Sequence, residues 1–567
     1  MSSSPAGAVL LAPERLARPR LAPDVVVHEP AEPGAPWVVQ RGSHQYFRLQ
    51  EDLARLVRAV DGVRGHDDLA EALGAPWTRA DVGSAVRTLA GAKVLDDGVP
   101  KKNRGSWFRF VPPLTLQFTL LKPDRMLARL APLVAAAAHR GAAVAASAVA
   151  IGGLLALAFR ADGLQSALGR PFEPLLYLCV IGAVLATTAV HEIGHGAVLT
   201  YHGGRPTRMG MMLFYMSPAF FCDVSDGWRL PRKEQRVGVA LAGIATQTVI
   251  AGAAALATQT VIAGAAALAT LFLGDSAARD GILVYAVVTY LSGVLNLLPF
   301  VKLDGYIALM SHLDIPHLRD RAMTDARRWL ARLLAGGTGY RRELPGVRWA
   351  VPFGLLCMTF PLYIVAGAIT LWSDSLQRLG ALGALLVLCG IGYFLHHLAR
   401  GVRRFAREAR TAGGRPLRLG AVLTLAAAAV AVLGQLVQVP YTVNGGYTTA
   451  EDGRITLLLP LSTDRALITS GAPVRLYRAG IATRAQTGTA TVAVDGADGT
   501  DAMAPLSALI PVRSEALPTP ALGLPLEIRD GRDRTPADRS GAAQLDAGSR
   551  PGWEWLYTKY VAPAWRW

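Results

Sequence analysis

The sequence predicts a polytopic α-helical membrane protein of about seven transmembrane helices, flanked by a small winged-helix-like α+β domain and a β-rich extracytoplasmic domain. Three observations carry this reading. The 567 residues are 51% hydrophobic with a mean hydropathy of +0.30, too apolar for an ordinary soluble enzyme. Apolar runs lie near 141–159, 175–199, 237–273, 281–303, 349–372, 379–398 and 419–438, and roughly twenty residues suffice to cross a bilayer. The loops between them alternate: 201–236, 304–348 and 399–418 are rich in Arg, whereas 160–174, 274–280 and 373–378 are short and poor in it.

With the N-terminus inside, this alternation places every basic loop in the cytoplasm and the tail from Val439 outside. The expected location is the plasma membrane, multi-pass, with the lipid bilayer as a partner. Most of the net charge of +16 lies in these loops. No basic-aromatic surface accompanies it, so nucleic acid is not an expected partner.

Residues 1–23 are rich in Pro, Ala and Arg and read as disordered, with no apolar signal-peptide core. In 24–100, Trp37-Val38-Val39-Gln40 and Tyr46-Phe47-Arg48-Leu49 flank a turn at Gly42-Ser43 and predict a β-hairpin. Helical patterns follow near 51–60, 67–73 and 79–91, punctuated by Asp61-Gly62 and Gly74-Ala75-Pro76. A hairpin with three short helices suits a winged-helix module.

The membrane core is expected over 101–438. Its 237–273 run holds a tandem duplication, because 245–256 recurs identically as 257–268. That run would make roughly 55 Å of helix against a hydrocarbon core of about 30 Å, so it must tilt, protrude, break or fold back. One long or broken helix preserves the charge alternation, and a fold-back reverses it. Thr246, Gln247, Thr258 and Gln259 are placed to bond across helices.

Short β-like runs at 454–459, 473–477, 489–494 and 509–513 predict a β-rich domain over 439–527. In the terminal segment 528–567, residues 528–551 read as a polar linker. Trp553, Trp555, Tyr557, Trp565 and Trp567 then form an aromatic end suited to interfacial anchoring or to packing on the β domain. Cys179, Cys222, Cys357 and Cys389 form no C-x-x-C, so neither a disulfide framework nor a cysteine-zinc site is expected.

Two motifs carry chemistry. The first is His191-Glu192-Ile193-Gly194-His195, and the second is Asn296-Leu297-Leu298-Pro299-Phe300-Val301-Lys302-Leu303-Asp304-Gly305. Imidazoles one helical turn apart share a face and can bind one Zn²⁺, with Glu192 beside them to take a proton from activated water. A catalytic zinc takes three protein ligands, and Asp304 is the natural third. Ionisable groups this deep in a membrane are costly and are functional candidates by default. Pro299 removes a backbone donor and breaks the helix ahead of Asp304. Asn296 is a candidate to bind an extended substrate strand, or else to bond between helices. His202, seven residues beyond His195, reads as a surface or packing histidine.

The two motifs resemble the signature of the site-2 protease family of intramembrane zinc metalloproteases, HExxH in one transmembrane helix and N-x-x-P-x-x-x-L-D-G in a later one. The resemblance extends over about 107–388, especially to bacterial peptide zinc metalloproteases. Leu121-Lys122-Pro123-Asp124-Arg125, Cys222-Asp223-Val224-Ser225-Asp226-Gly227-Trp228-Arg229 and Asp304-Gly305-Tyr306 carry it. It implies that His191, His195 and Asp304 are zinc ligands and Glu192 the catalytic acid/base, and it gives Asp223 and Asp226 a structural or gating role. Residues 24–100 resemble the RiPP recognition element, a domain that holds leader peptides of ribosomally made natural products by strand addition to its hairpin. The function expected is an intramembrane zinc metalloendopeptidase cleaving a membrane-associated or precursor peptide, in natural-product maturation or export, with an export transporter as a further partner. The alternative is a non-proteolytic export or scaffold protein built on a protease-like membrane core.

Overall fold

The computed structural model describes residues 13–30, 37–42, 45–96, 98, 107–111, 115–214, 217–257, 275–377, 381–461, 463–481, 483–509, 512, 518–528 and 539–565. The chain divides into two compact units. One comprises Met1–Ala143, Thr188–Thr246 and Ile307–Ile315; the other comprises Val144–Thr187, Gln247–Tyr306 and Pro316–Trp567.

The first unit opens with α1 (Pro13–Ala17), β1 (Val25–His28), β2 (Trp37–Arg41), β3 (Gln45–Leu49), α2 (Glu51–Ala59), α3 (His66–Leu73) and α4 (Arg79–Gly91). The strands form an antiparallel sheet in the order β1-β2-β3. Leu56, Leu69, Val82 and Val86 are fully buried beneath it. Helix α4 starts where Thr78 and Asp81 cap each other: the Thr78 hydroxyl accepts from Asp81 N at 3.2 Å, and the Asp81 carboxylate accepts from Thr78 N at 3.1 Å. The sequence reading missed β1, which makes β2 a central strand. It also took 1–23 as disordered, whereas 13–23 is ordered. Leu16 and Leu21 pack on the domain core, Ala22 is buried, and Leu21 bridges to Leu95. These few apolar anchors outweigh a composition dominated by Pro and Arg. Residues 1–12 lie outside the described residues.

A second antiparallel sheet was not foreseen. It runs β4 (Phe108–Val111), β5 (Thr115–Leu121), β6 (Met209–Phe214), β7 (Ser217–Cys222), in that spatial order. Helix α5 (Asp124–Ala137) follows β5.

Among the described residues, seven helices are long and apolar enough to cross a membrane, and each overlaps one of the seven expected runs. They are α6 (Arg140–Phe159), α8 (Pro174–Tyr201), α9 (Lys233–Ala257), α10 (Asp275–Asn296), α13 (Ala350–Gln377), α14 (Ala381–Thr411) and α15 (Pro416–Leu436). Between them lie α7 (Ala161–Leu168), α11 (Asp304–Leu313) and α12 (Leu318–Ala335). The unit boundaries fall inside the residue ranges of α8, α9 and α11. The first copy of the duplication, 245–256, lies within α9. All of the second copy except Ala257 lies outside the described residues, as do Thr258 and Gln259. Gln247 does bond across helices, donating to the Thr289 carbonyl at 3.2 Å, while Thr246 donates to Ala242 O within its own helix.

In the second unit, β8 (Gln438–Thr449), β9 (Ile455–Leu459), β10 (Pro473–Ala479), β11 (Arg484–Val492), β12 (Thr500–Ala504), β13 (Thr519–Ile528) and β14 (Ser540–Pro551) form one antiparallel sheet. The order is β11-β10-β14-β8-β9-β13-β12, and β11 also pairs with β13, so six strands close into a barrel around Tyr447, Leu457, Leu459, Val474 and Leu545. The expected linker at 528–551 is therefore corrected. Its second half is β14, which pairs with both β8 and β10, and 529–538 lies outside the described residues. Of the run at 509–513 only Leu509, the last residue of α16 (Leu506–Leu509), and Val512, which bridges to Phe172, belong to the described residues; 510, 511 and 513 lie outside them. The aromatic end starts as α17 (Gly552–Leu556) and packs both on α14 and α15 and against β8 and β14 of the barrel. Trp553 donates its indole N–H to Ala431 O of α15 at 2.9 Å, and Gln377 of α13 donates to Lys559 O at 2.9 Å. The four cysteines are free thiols.

Candidate metal centre

Helix α8 carries His191 and His195 on one face, four residues and therefore about one turn apart. Both are buried, at 3% and 4% exposure. His195 Nδ1 lies 2.7 Å from Val239 O of α9. A carbonyl only accepts, so Nδ1 carries the proton and Nε2 presents a lone pair. That Nε2 stands 3.1 Å from Nε2 of His191, with the rings edge to face at 80°. Two nitrogens held at about 2.0–2.1 Å on one tetrahedral ion stand about 3.3 Å apart, so the pair is already spaced as ligands.

Gly243 of α9 completes the space. A Cβ there would lie 2.6 Å from His191 Nε2 and closer still to His195 Nε2. Only a hydrogen at position 243 leaves the space beside both Nε2 atoms open.

Asp304 enters from α11. The expected helix over 281–303 ends earlier, at Asn296, and 297–303 is irregular backbone around Pro299. Asp304 is thus the first residue of a new helix rather than the last of an old one. A carboxylate there is favoured by the helix dipole. Gly305 permits the sharp entry, since a Cβ would lie 2.7 Å from Leu297 Cα and nearer to its carbonyl oxygen. Arg319 of α12 pins the loop by donating to Phe300 O and to Cys357 O, each at 3.2 Å. The ligand atoms of His191, His195 and Asp304 all lie within 4.8 Å of one another. Two neutral imidazoles and a carboxylate form a donor set that suits a divalent ion of the zinc type.

Glu192 is held separately: its Oε2 accepts from the Cys222 backbone N at 2.7 Å, at the end of β7. Burial, then the charges of Glu192 and Asp223, push the Cys222 thiol up, so it stays protonated near neutrality.

Asn296 is the half-buried last residue of α10, and its side chain makes no hydrogen bond among the described residues. His202 stacks edge-on against Tyr201 and is not in the cluster. Asp223 accepts from Thr207 Oγ1 at 3.0 Å and Ser225 Oγ at 2.6 Å, which folds the loop after β7. Asp226 is buried and accepts from Arg205 N at 2.8 Å, Arg229 at 3.1 Å and Tyr46 Oη at 3.3 Å. Sequence reasoning missed Gly243, Val239, Cys222 and Arg319. The first is one glycine among many in an apolar helix, and the next two act through backbone atoms that no side-chain pattern encodes.

No family model, curated protein or solved structure matches the chain. What it does must be argued from these residues and their geometry.

Proposed function

We propose that the protein is a multi-pass membrane zinc metalloendopeptidase, in which His191, His195 and Asp304 hold the ion and Glu192 moves the proton. The observation that carries this reading is the convergence of those three side chains, with Glu192 adjacent to His191. The resemblance of the two motifs to the site-2 protease signature agrees with it. Zinc bound by this set would supply Lewis-acid activation of water and of the scissile carbonyl. Glu192 accepts a proton as the water oxygen bonds to the peptide carbonyl carbon, and returns it to the nitrogen as the C–N bond breaks. The Cys222 N–H fixes Oε2 and so orients the carboxylate for both transfers. The Val239 carbonyl keeps the His195 ring in register.

The second sheet supports a peptide as substrate. Among the described residues β7 pairs only with β6, so its outer edge offers backbone groups to an added strand. This edge strand ends at Cys222, where the backbone bonds to Glu192. A peptide laid along it arrives at the carboxylate.

In this reading the N-terminal domain and the Arg-rich loops are cytoplasmic and the barrel is extracytoplasmic. Two contacts agree with that assignment. The N-terminal domain touches the basic 201–236 loop through Tyr46 and Asp226, and the barrel touches the Arg-poor 160–174 loop through Thr483 N and Leu168 O at 3.3 Å. The expected substrate is a membrane-associated or precursor peptide recruited by the N-terminal domain and handed on to export.

The test is a Glu192→Gln variant in lipid nanodiscs beside the wild type. Both should hold about one zinc per chain. The wild type should release peptide fragments detected by mass spectrometry, and the variant should retain intact peptide. Equal cleavage by the two would refute the role of Glu192. Zinc loading unchanged by a His191→Ala/His195→Ala double substitution would refute the site.

A further inference from the structure

Strand β3 carries two side chains across to the core of its unit. Tyr46 donates to Asp226. Arg48 Nη1 donates to Asp314 Oδ1 at 2.6 Å, and Arg236 Nη2 of α9 donates to the same oxygen at 2.7 Å. The two guanidinium groups lie over the Trp228 ring, at 5.7 and 5.9 Å from its centre. Arg236 is 5% exposed and also donates to Leu230 O at 2.8 Å, so its end of the clamp is buried and doubly held.

Asp314 is the residue immediately after α11. It adopts a left-handed backbone at φ +53°, which a residue with a Cβ rarely does. Its carboxylate stands at the negative end of the helix dipole, where an anion is disfavoured unless cations face it. Position and charge are both unfavourable by themselves, and the two arginines offset them. The other end of the same ten-residue helix, about 15 Å away, is Asp304.

We propose that the N-terminal domain is a working part of the metal centre: through Arg48 on Asp314 it sets the position of α11, and through α11 that of the Asp304 carboxylate. Arg48 is then a positioning residue. This rests on the metal site proposed above. A short helix moves as a rod, and a metal ligand must be placed to within about 0.2 Å, so a small shift at Asp314 is felt at the ion.

The experiment uses the full chain in nanodiscs, with zinc affinity read by chelator competition and Co²⁺ spectra as a probe of coordination. Arg48→Ala should weaken zinc about tenfold, the lower end of what remote supports of a metal site contribute. It should lower kcat with KM for a short peptide unchanged. Arg48→Lys keeps the charge and should recover most of the affinity. Asp314→Ala, which also frees Arg236, should lose at least as much as Arg48→Ala, and the double variant should lose no more than Asp314→Ala alone, because the Arg48 contact is already gone. Arg58→Ala changes the same domain at a pair with Glu29 (3.7 Å) that does not involve α11, and it should leave zinc affinity unchanged. Wild-type affinity in Arg48→Ala would overturn the proposal and leave the domain a docked recruiter. Additive losses in the double variant, or equal loss in Arg58→Ala, would also overturn it. If Arg48→Ala does not fold, Arg48→Lys and Asp314→Asn decide by the same affinity comparison. Failure of the wild type to bind zinc would instead refute the metal site itself.

Discussion

Replacing Gly243 by Ala tests the metal centre without touching a ligand. The new methyl carbon would sit 2.6 Å from His191 Nε2 and nearer to His195 Nε2, whereas a comfortable non-bonded contact needs about 3.5 Å. Either the backbone of α9 or the two rings must move by about 1 Å. Zinc coordination tolerates about 0.2 Å, so the ion should be lost and not merely loosened, with affinity falling at least about 100-fold. The fold should survive. Overpacking costs about 1–3 kcal/mol, and exchanging Gly for Ala in a helix returns about 1 kcal/mol. Gly238→Ala is the matched control on the same helix, since nothing lies within 4 Å of its added Cβ. It should keep its zinc and melt no lower than wild type. Metal content after purification, chelator competition and a melting curve suffice. Full zinc occupancy with unchanged affinity in Gly243→Ala would show that the lone pairs of His191 and His195 do not converge on the bound ion.

His191→Ala, His195→Ala and Asp304→Ala should each abolish stoichiometric zinc, as metal analysis of the purified chains will show. Gly305→Ala should do so indirectly, because its Cβ would meet Leu297 and displace the start of α11; an unchanged zinc content would speak against that route. Cysteines placed at 400–415 should react with impermeant reagents only from the cytoplasm and those at 450–509 only from outside. External reaction at 400–415 would mean that the duplicated segment folds back. Proline at Val39 should unfold the N-terminal domain outright, since Val39 pairs with both Val27 and Phe47 in a central strand; an undiminished circular-dichroism signal would refute this. Backbone hydrogen bonds from Arg64 and Val63 hold the Asp61 carboxyl low, and the Thr78 hydroxyl, then the Thr78 backbone N–H, holds that of Asp81 low. Their contribution is present above their ordinary value of 3.8 and disappears as pH falls through the lower folded values. Amide exchange at Thr78–Val82, corrected for intrinsic rate, should therefore rise below pH 4 and not between pH 6 and 8.

The parts legible in the sequence were those with a local period. The seven apolar helices, the hairpin with its three helices and the spacing of His191 and His195 all follow from patterns within a window of about twenty residues. What escaped lacked such a signal. Strands β5 and β6 pair across nearly ninety residues of intervening chain, and no local pattern shows a partner that distant. Strand β14 does alternate, but the residues it turns inward include Gly541 and Ala543, so the alternation is too weak to rise above a polar background. Helix α14 runs to Thr411, well past the predicted 398, because its last turns are Arg-rich and an apolar window stops where charge begins.

The metal centre divides in the same way. Of the proposed ligands, His191 and His195 follow from their spacing and Asp304 from the second motif, yet the features around the two imidazoles are a missing side chain at Gly243 and a carbonyl at Val239, and Glu192 is held by an amide at Cys222. The helix break shows why this matters. Read as one helix over 281–303, the second motif would leave Asp304 at a fraying C-terminal end, beside the negative pole of the dipole. The observed fold ends α10 at Asn296 and begins α11 at Asp304, which moves the carboxylate to a positive pole and makes it the first fixed point of a new rod. Such a ligand can be aimed from the far end of its helix. On the proposed reading, the placement of Asp314, a residue no motif singles out, therefore bears on how Asp304 would be held as a ligand.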